Sequence, residues 1–366
     1  MPSHRFFKAG QFLVCIDQSL PHAVRHLGVR YGRNKLGSIG ISKTVARAAI
    51  KAVARGKLGL LRSGQIVELP AFGEIGVQVH GGSKLFDLGR REVIKIFNPG
   101  TNEPDAAQEI AAARQVSKVP VAPRFVDADP GMAWYREEYI CGTHATDEEF
   151  RRGKAILEFY PAVEKCLLDL VGTEAVREVE TEPYFRELAA KAHCGRWLNA
   201  GLSEDHVKGV FAYIDGLRRW LTSQAQSAHL QLVPVHGDFS LVNAIATTDG
   251  LRFIDWEGIS TGCVYDDIFN FLFVERYYER ATGSFMNDMS AFLDRYGQAV
   301  RERFPEMADA TEVDITFARR QYYLERLKLL VSREVSPNLF KVVRQSIEMF
   351  REFDREAGDD AVQGDP

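Results

Sequence analysis

Residues 235–243 read VHGDFSLVN, and twelve residues beyond Asn243 stands Asp255 in a second compact string, FIDWEG. One Asp in a loop is ordinary. Two Asp and an Asn at these offsets, each string led by an apolar, strand-like run, make a place where carboxylates and an amide converge on something charged. Hard divalent cations take oxygen ligands of this kind. A third candidate lies upstream. Lys95 sits inside the apolar run VIKIF, where an ammonium is costly unless it finds a partner. Glu109, fourteen residues on, fits that partner better than Glu103 or Asp105, which occupy the capping end of the same helix. A surface lysine on an edge strand is the alternative.

The elements that must hold these groups can be traced from the pattern. Between residues 65 and 97 short β-branched runs, IGVQVHG, KLFDLG and EVIKIF, are divided by Gly81-Gly82 and Gly89, which predicts antiparallel hairpins. NEPDAAQEIAAARQV (102–116) carries a proline in its first turn and then alanines, a helix signature. RFVDAD and MAWYREEYI follow as two strands around Asp129-Pro130-Gly131. The expected first lobe is therefore a five-stranded antiparallel sheet with one helix. Cys141-Gly142-Thr143 breaks the pattern, and most of the rest is helical. Residues 204–221 place Val207, Val210, Phe211, Ile214, Leu217 and Leu221 at helical spacing. Residues 317–331 and 338–353 are two more packing helices, and 357–366 is a polar tail.

The chain has 366 residues, 45% of them hydrophobic and 26% charged, ample for a large core and more than one lobe. Charge is distributed unevenly. Residues 1–66 hold twelve Lys and Arg against one acid, Asp17, while the other 300 residues hold 34 basic and 49 acidic groups. The reading is a basic N-terminal extension over 1–74, with an Ala-rich basic helix at 44–61 whose Arg47, Lys51 and Arg55 line one face. That helix either packs as a solvated surface element or touches an anionic membrane surface; nucleic acid is not expected, since no binding module is present. Cys15, Cys141, Cys166, Cys194 and Cys263 are scattered with no CxxC pair, which suits reduced thiols. No apolar stretch reaches the length of a membrane span. The expected location is the cytoplasm or the inner face of a membrane.

A small antiparallel sheet with one helix, a hinge, and a helical lobe carrying HxDxxxxN with a downstream Asp is the layout of a kinase. Phosphoryl transfer needs the polyphosphate held, its charge neutralised and the acceptor hydroxyl aimed in line. HGDFSxxN followed by IDWE resembles the aminoglycoside phosphotransferase and choline kinase group, across roughly residues 75–355 and most strongly over 235–268. The resemblance implies a protein-kinase-like bilobal α+β fold, with a nucleotide-binding lobe at 75–141 and a helical lobe at 142–356. It implies ATP and Mg²⁺ as cofactors. Asp238 would accept the acceptor hydroxyl's proton or orient that hydroxyl, Asn243 and Asp255 would hold the metal, and Lys95, paired with Glu109, would meet the phosphates. His236 would anchor the catalytic loop and Asp267, in GCVYDDI, would brace it through backbone N–H groups. Glu257 lies near the metal or pins the loop. His80-Gly81-Gly82-Ser83 could cover the phosphates or simply form a tight turn. Glu137–Gly142 resembles the family's hinge, where Glu138 and Ile140 would meet the base through the main chain. Val264 stands where Pro is common, and Leu241 and Val242 stand where Pro and Trp are common.

The acceptor implied is the hydroxyl of a small molecule. The acidic residues Asp147, Glu148, Glu149, Asp266 and Glu275 of the helical lobe suit a cation, whereas the basic extension suits an anionic acceptor, such as a phosphorylated or carboxylated sugar, and so favours a sugar or glycoconjugate. An aminoglycoside, choline or another amino alcohol remains the alternative acceptor, and a non-catalytic nucleotide-binding scaffold the alternative function. No Ala-Pro-Glu string follows IDWEG, which argues against a peptide acceptor.

Overall fold

The computed structural model describes residues 3–9, 12–17, 66–73, 75–79, 81–87, 89–98, 103–129, 131–145, 156–193, 204–277, 285–312, 314–332 and 339–358. Its contacts divide the chain into two units. One comprises Met1–Ala155 with Leu241–Glu257, the other Ile156–Ser240 with Gly258–Pro366. The first unit therefore takes a segment, Leu241–Glu257, that the sequence reading assigns to the helical lobe.

The first unit is built on one antiparallel sheet. Its strands are β1 (Ser3–Ala9), β2 (Phe12–Cys15), β3 (Ile66–Pro70), β4 (Ile75–Val79), β5 (Gly82–Asp87), β6 (Glu92–Phe97), β7 (Phe125–Ala128) and β8 (Trp134–Glu138), in the order β3-β1-β2-β4-β5-β6-β8-β7. The five expected strands are present. The expected separate extension over 1–74 is corrected, because β1, β2 and β3 continue the same sheet through the β2–β4 pairing of Phe12 with Val77. The physical reason is an apolar outer face. Alternation puts Leu85, Ile94, Ile96 and Trp134 on the side of the sheet away from Lys84 and Lys95. The N-terminal strands bring Phe6, Leu13 and Cys15 onto them, in a core completed by Phe72, Val67 and Leu69. Each such buried side chain contributes about 2 kcal/mol. The helix expected at 44–61 lies outside the described residues.

The opposite face receives α1 (Glu103–Val116). Ala106, Ile110 and Ala113 recur at helical spacing and pack on Phe97 and Tyr135. Small alanines let the helix lie close to the sheet, which brings Glu109 within reach of Lys95. A second, three-stranded sheet joins β9 (Thr143–His144), β12 (Ala244–Thr247) and β13 (Gly250–Phe253) in the order β13-β12-β9. Arg252 ties it to the first sheet through Glu138 at 3.0 Å and the Ala122 carbonyl at 2.7 Å. Gly142 enters β9 with no room for a side chain: a Cβ there would stand 2.2 Å from the Ala246 carbonyl oxygen. Gly142→Ala is expected to cost about 1–3 kcal/mol by overpacking, seen as a lowered melting temperature.

The second unit is mainly helical. Its longer helices are α2 (Tyr160–Val171), α3 (Thr181–Ala192), α4 (Glu204–Gln224), α5 (Asp266–Tyr277), α6 (Phe285–Arg303), α7 (Ile315–Ser332) and α8 (Leu339–Glu356). A short sheet of β10 (Arg177–Glu180), β11 (His229–Val235) and β14 (Ser260–Gly262) accompanies them. α7 packs against α3, α4, α5 and α8. Asp354 on α8 locks to Arg319 and Arg320 of α7 at 3.0 and 3.2 Å, and Arg320 stacks on Trp220 of α4. No helix among the described residues is long and apolar enough to cross a membrane. Cys15, Cys141, Cys166 and Cys263 form no disulfide among the described residues, and Cys194 lies outside the described residues.

Candidate active site

Strand register assembles the first half of the site. Lys84 on β5 stands directly opposite Lys95 on β6, and Lys95 opposite Tyr135 on β8. Two like charges facing each other across a ladder repel, so the pair needs counter-charge. Three carboxylates supply it. Lys95, only 2% exposed, lies 2.7 Å from Glu109 and 2.9 Å from Glu257, while Lys84 lies 2.8 Å from Asp255 and 2.9 Å from Glu257. Burial works to lower the Lys84 pKa, yet Asp255 and Glu257 hold it well above the usual lysine value. Burial also works against ionised Glu257, but Lys84 and then Lys95 draw its carboxyl below the ordinary range. Glu109 is raised, first by burial and then by the nearby Glu257 charge, and it accepts a 2.9 Å hydrogen bond from the Tyr135 hydroxyl. The Glu257 carboxylate thus bridges two ammonium groups.

The same alternation lines a cleft with Val77, Val79, Phe86 and Val93, closed within this unit by Ile140, Ile245 and Ile254; it measures about 810 Å³ counting the space open to solvent. Lys84, Glu137, Glu138 and Asp255 are its charged members. An apolar cleft with a few convergent polar groups is the usual form of a small-molecule site. Beyond Glu138 the chain leaves the sheet, and the Ile140 N–H has no backbone partner among the described residues. The Glu138 side chain is occupied by Arg252 and by the Arg124 N–H.

Burial pushes the Glu137 carboxyl up from 4.5 to about 7; Lys84 opposes that shift, while Asp255, Glu257 and Glu109 reinforce it. A carboxyl raised in the folded state holds its proton there longer than in the unfolded chain. Its contribution to stability is complete below pH 4.5 and is lost as pH rises through about 7. Melting temperatures measured across that window are expected to fall for the native protein, with this part of the decline absent in Glu137→Gln.

Asn243 and Asp255 flank the β12–β13 hairpin, in which Ala244 pairs with Phe253 and the Ile254 N–H donates to the Asn243 carbonyl at 2.8 Å. A tight hairpin explains the spacing of twelve: its two ends return to one place. Asp255 adopts a left-handed backbone, φ 66°, a conformation Asp tolerates better than most residues and one concentrated at functional sites. One amide and one carboxylate, beside Glu257, form an all-oxygen set that fits a divalent cation keeping phosphate and water ligands. Among the described residues no group of three or more His, Cys, Asp or Glu has metal-binding geometry.

Asp238 belongs to the second unit. Its loop is held from beneath by Asp267 on α5, whose carboxylate accepts the His236 and Gly237 N–H groups at 2.6 and 2.9 Å. His236 is fully buried, its Nδ1 facing the Asp238 N–H at 3.4 Å. Gly237 has φ 77° and a Cβ there would meet the Gly258 carbonyl oxygen at 2.6 Å, so this turn admits no side chain. Asn270 donates to the Phe239 carbonyl at 2.9 Å. Arg326 on α7 donates from Nη1 to Asp238 Oδ1 at 3.3 Å.

One expected group is corrected. Gly81, with φ 71°, is the described residue of the β4–β5 turn, whereas Gly82 and Ser83 are already in β5; His80 lies outside the described residues. Ser83 is buried on the face of Leu85, opposite the face of Lys84, so it does not front the cleft. Gly82 is needed because a Cβ would stand 2.1 Å from the Ile96 carbonyl oxygen. Lys84, Glu137 and Arg326 were not singled out from sequence. Pairing the hairpin KLFDLGRREVIKI would have found Lys84 opposite Lys95. Nothing local marks Arg326, 88 residues from Asp238. Asp147, Glu148 and Glu149 lie outside the described residues, and Glu275 is fully buried.

The family described as the phosphotransferase enzyme family matches residues 83–308. No curated protein matches the sequence. Among solved structures, a choline kinase from Cryptosporidium parvum Iowa II is similar at 13% identity over 77% of this chain and 89% of its own, with a TM-score of 0.54. A choline/ethanolamine kinase family protein from Mesorhizobium loti has 16% identity, 84% and 98% coverage and a TM-score of 0.48. The amicoumacin kinase hAmiN, solved with AMP-PNP and Ca²⁺, has 15% identity, 88% and 98% coverage and a TM-score of 0.47. At such identity the first of these likenesses is one of fold. With the family match spanning most of the chain, from the strand that carries Lys84 to beyond Asp267, the chain belongs to the phosphotransferase enzyme family.

Proposed function

We propose that this enzyme moves the γ-phosphoryl group of ATP to a hydroxyl of a small molecule, a sugar or glycoconjugate, with Mg²⁺ as the metal. The observation that carries the reading is the buried Lys95, held between Glu109 and Glu257 on the face of the sheet that lines an apolar cleft. A lysine so placed binds phosphate as a fixed point charge and is kept in position by Glu109. The cleft takes the base, with the Ile140 N–H available to its edge. Asn243 and Asp255 hold the cation, which when bound neutralises phosphate charge. Lys84 sits on Asp255 and Glu257 in this structure and is within the same cleft, so it supplies a second cation to the phosphates.

On the acceptor side Asp238 takes the proton of the attacking hydroxyl. The new bond joins that oxygen to phosphorus, the bond to the β-phosphate oxygen breaks, and ADP leaves. Asp267 and Asn270 hold the loop that carries Asp238 in a fixed conformation, a form of preorganisation that lowers the barrier. The test is purified protein with Mg²⁺-ATP against neutral sugars, anionic sugars, amino alcohols and aminoglycosides, following ADP release, with Asp238→Asn as the control. Acceptor-dependent release that vanishes in the variant supports the reading. ATP binding without acceptor-dependent release would point to a scaffold instead.

A further inference from the structure

We propose that the cavity beside Asp238 in the second unit is a subsite for an uncharged, polyhydroxylated acceptor, a sugar or glycoside; this rests on the phosphotransferase reading above. The cavity measures about 460 Å³ counting its open side and lies between the catalytic-loop glycine Gly237, Ser260 and Thr261 of β14, Asp266 of α5, and Glu325 and Arg326 of α7. That is within the range of sites for small ligands. Arg326 joins it to the chemistry, because the same guanidinium that lines the cavity reaches Asp238 at 3.3 Å.

Two side-chain atoms at this cavity are buried without a hydrogen-bond partner: Asp266 Oδ1 and Arg326 Nε. The Asp266 side chain is 7% exposed, and its other oxygen accepts the Cys263 N–H at 2.8 Å. A buried polar atom left unpaired is unfavourable, and such exceptions call for a ligand or water to complete them. Here one is a guanidinium N–H donor and the other a carboxyl oxygen. A hydroxyl can donate to one and accept from another, so a polyol satisfies both with a single chemical group.

The charge balance selects the class. Glu325 accepts the Tyr184 hydroxyl and lies 3.0 Å from Lys328. Asp267 is spent on two backbone N–H groups, and Asp238 faces Arg326. Burial, reinforced by the Glu325 charge, lifts Asp266 well above the usual carboxylate range, in the direction that favours its protonated form. The Glu325, Lys328, Asp267 and Arg326 groups that line the cavity thus each have a partner within the protein. A polycation would find Glu325 and Asp267 already compensated, and an anion would find Lys328 and Arg326 already paired. Hydrogen-bonding groups without net attraction to either sign suit a neutral sugar.

The experiment uses the full chain with saturating Mg²⁺-ATP and follows ADP release. The acceptors are neutral mono- and disaccharides, glucuronic acid, glucose 6-phosphate, choline and kanamycin. The expected result is a kcat/KM for at least one neutral sugar about tenfold or more above every charged acceptor, the scale on which a site with fixed polar partners discriminates. Asp266→Leu, which removes the carboxyl's hydrogen-bonding capacity, is expected to raise the sugar KM by about tenfold. Asp266→Asn should raise it less, since an amide still donates and accepts. ATP affinity by calorimetry and the melting temperature report whether these variants stay folded. Turnover confined to charged acceptors, no turnover with any neutral sugar, or an unchanged sugar KM in Asp266→Leu would overturn the proposal while ATP binding persists. Loss of ATP binding in the native protein would instead overturn the phosphotransferase reading beneath it.

Discussion

Asp238→Asn is expected to lower kcat by about 10²–10⁴-fold, the range for removing a positioned general base, with Mg²⁺-ATP affinity nearly unchanged. The substitution keeps the side chain's size and its capacity to accept from Arg326. It removes only the ability to take a proton. The loop beneath it is fixed by groups the change does not touch: the Asp267 carboxylate on the His236 and Gly237 N–H groups, and Asn270 on the Phe239 carbonyl. The loss should therefore appear in the chemical step and not in the melting temperature. Steady-state turnover and calorimetric ATP titration on the same preparation measure both quantities. Turnover kept within tenfold of the native enzyme would remove Asp238 from the role of base.

The second large effect concerns Lys95. Lys95→Met keeps the aliphatic stem and removes the charge, leaving Glu109 and Glu257 without the ammonium that sits 2.7 and 2.9 Å from them. Breaking a buried ion pair by removing one partner costs about 3–5 kcal/mol. Here Lys84 still partners Glu257, so the loss falls mainly on Glu109, whose pKa, already raised by burial and by Glu257, should climb further. The variant is expected to lose ATP affinity and turnover together with stability. The double variant Lys95→Met with Glu109→Gln separates the two roles, because residues in contact do not act additively. It should regain much of the stability while transfer stays lost. If activity returned with stability, the pair would be a structural brace alone and phosphate binding would have to rest on Lys84.

Much of the site was legible because it depends on short-range geometry. HGDFSLVN and FIDWEG each occupy one turn at the end of a strand, and a hairpin of two four-residue strands brings Asn243 and Asp255 to one place. The Ala-rich pattern of α1 and its fourteen-residue separation from Lys95 locate Glu109 because helix pitch and a short connection leave little freedom. Period-two alternation, applied to the first sheet, separates the Lys95 face from the Leu85 face. The same rule excludes Ser83 from the cleft once β5 is seen to begin at Gly82.

What residues 1–17 do was not legible in that way. The basic charge of residues 1–66 suggested an extension apart from the sheet, yet Phe6, Leu13 and Cys15 complete a core with Leu85 and Ile94. Composition averages over a segment, whereas burial depends on which alternate residues meet an apolar face.

The sequence by itself determined the chemistry available: which carboxylates, amide and lysine exist, at what spacing, and on which local elements. It also determined the α+β class, since hydrophobic period and turn residues act within a few positions. Only the tertiary structure decided the partners. Lys84 reaches Asp255 across 171 residues, Arg326 reaches Asp238 across 88, and Asp266 is left with an unpaired oxygen beside Arg326. Such contacts arise from packing elements distant along the chain. Electrostatic partnership acts through space and leaves no period or motif in the sequence to mark it.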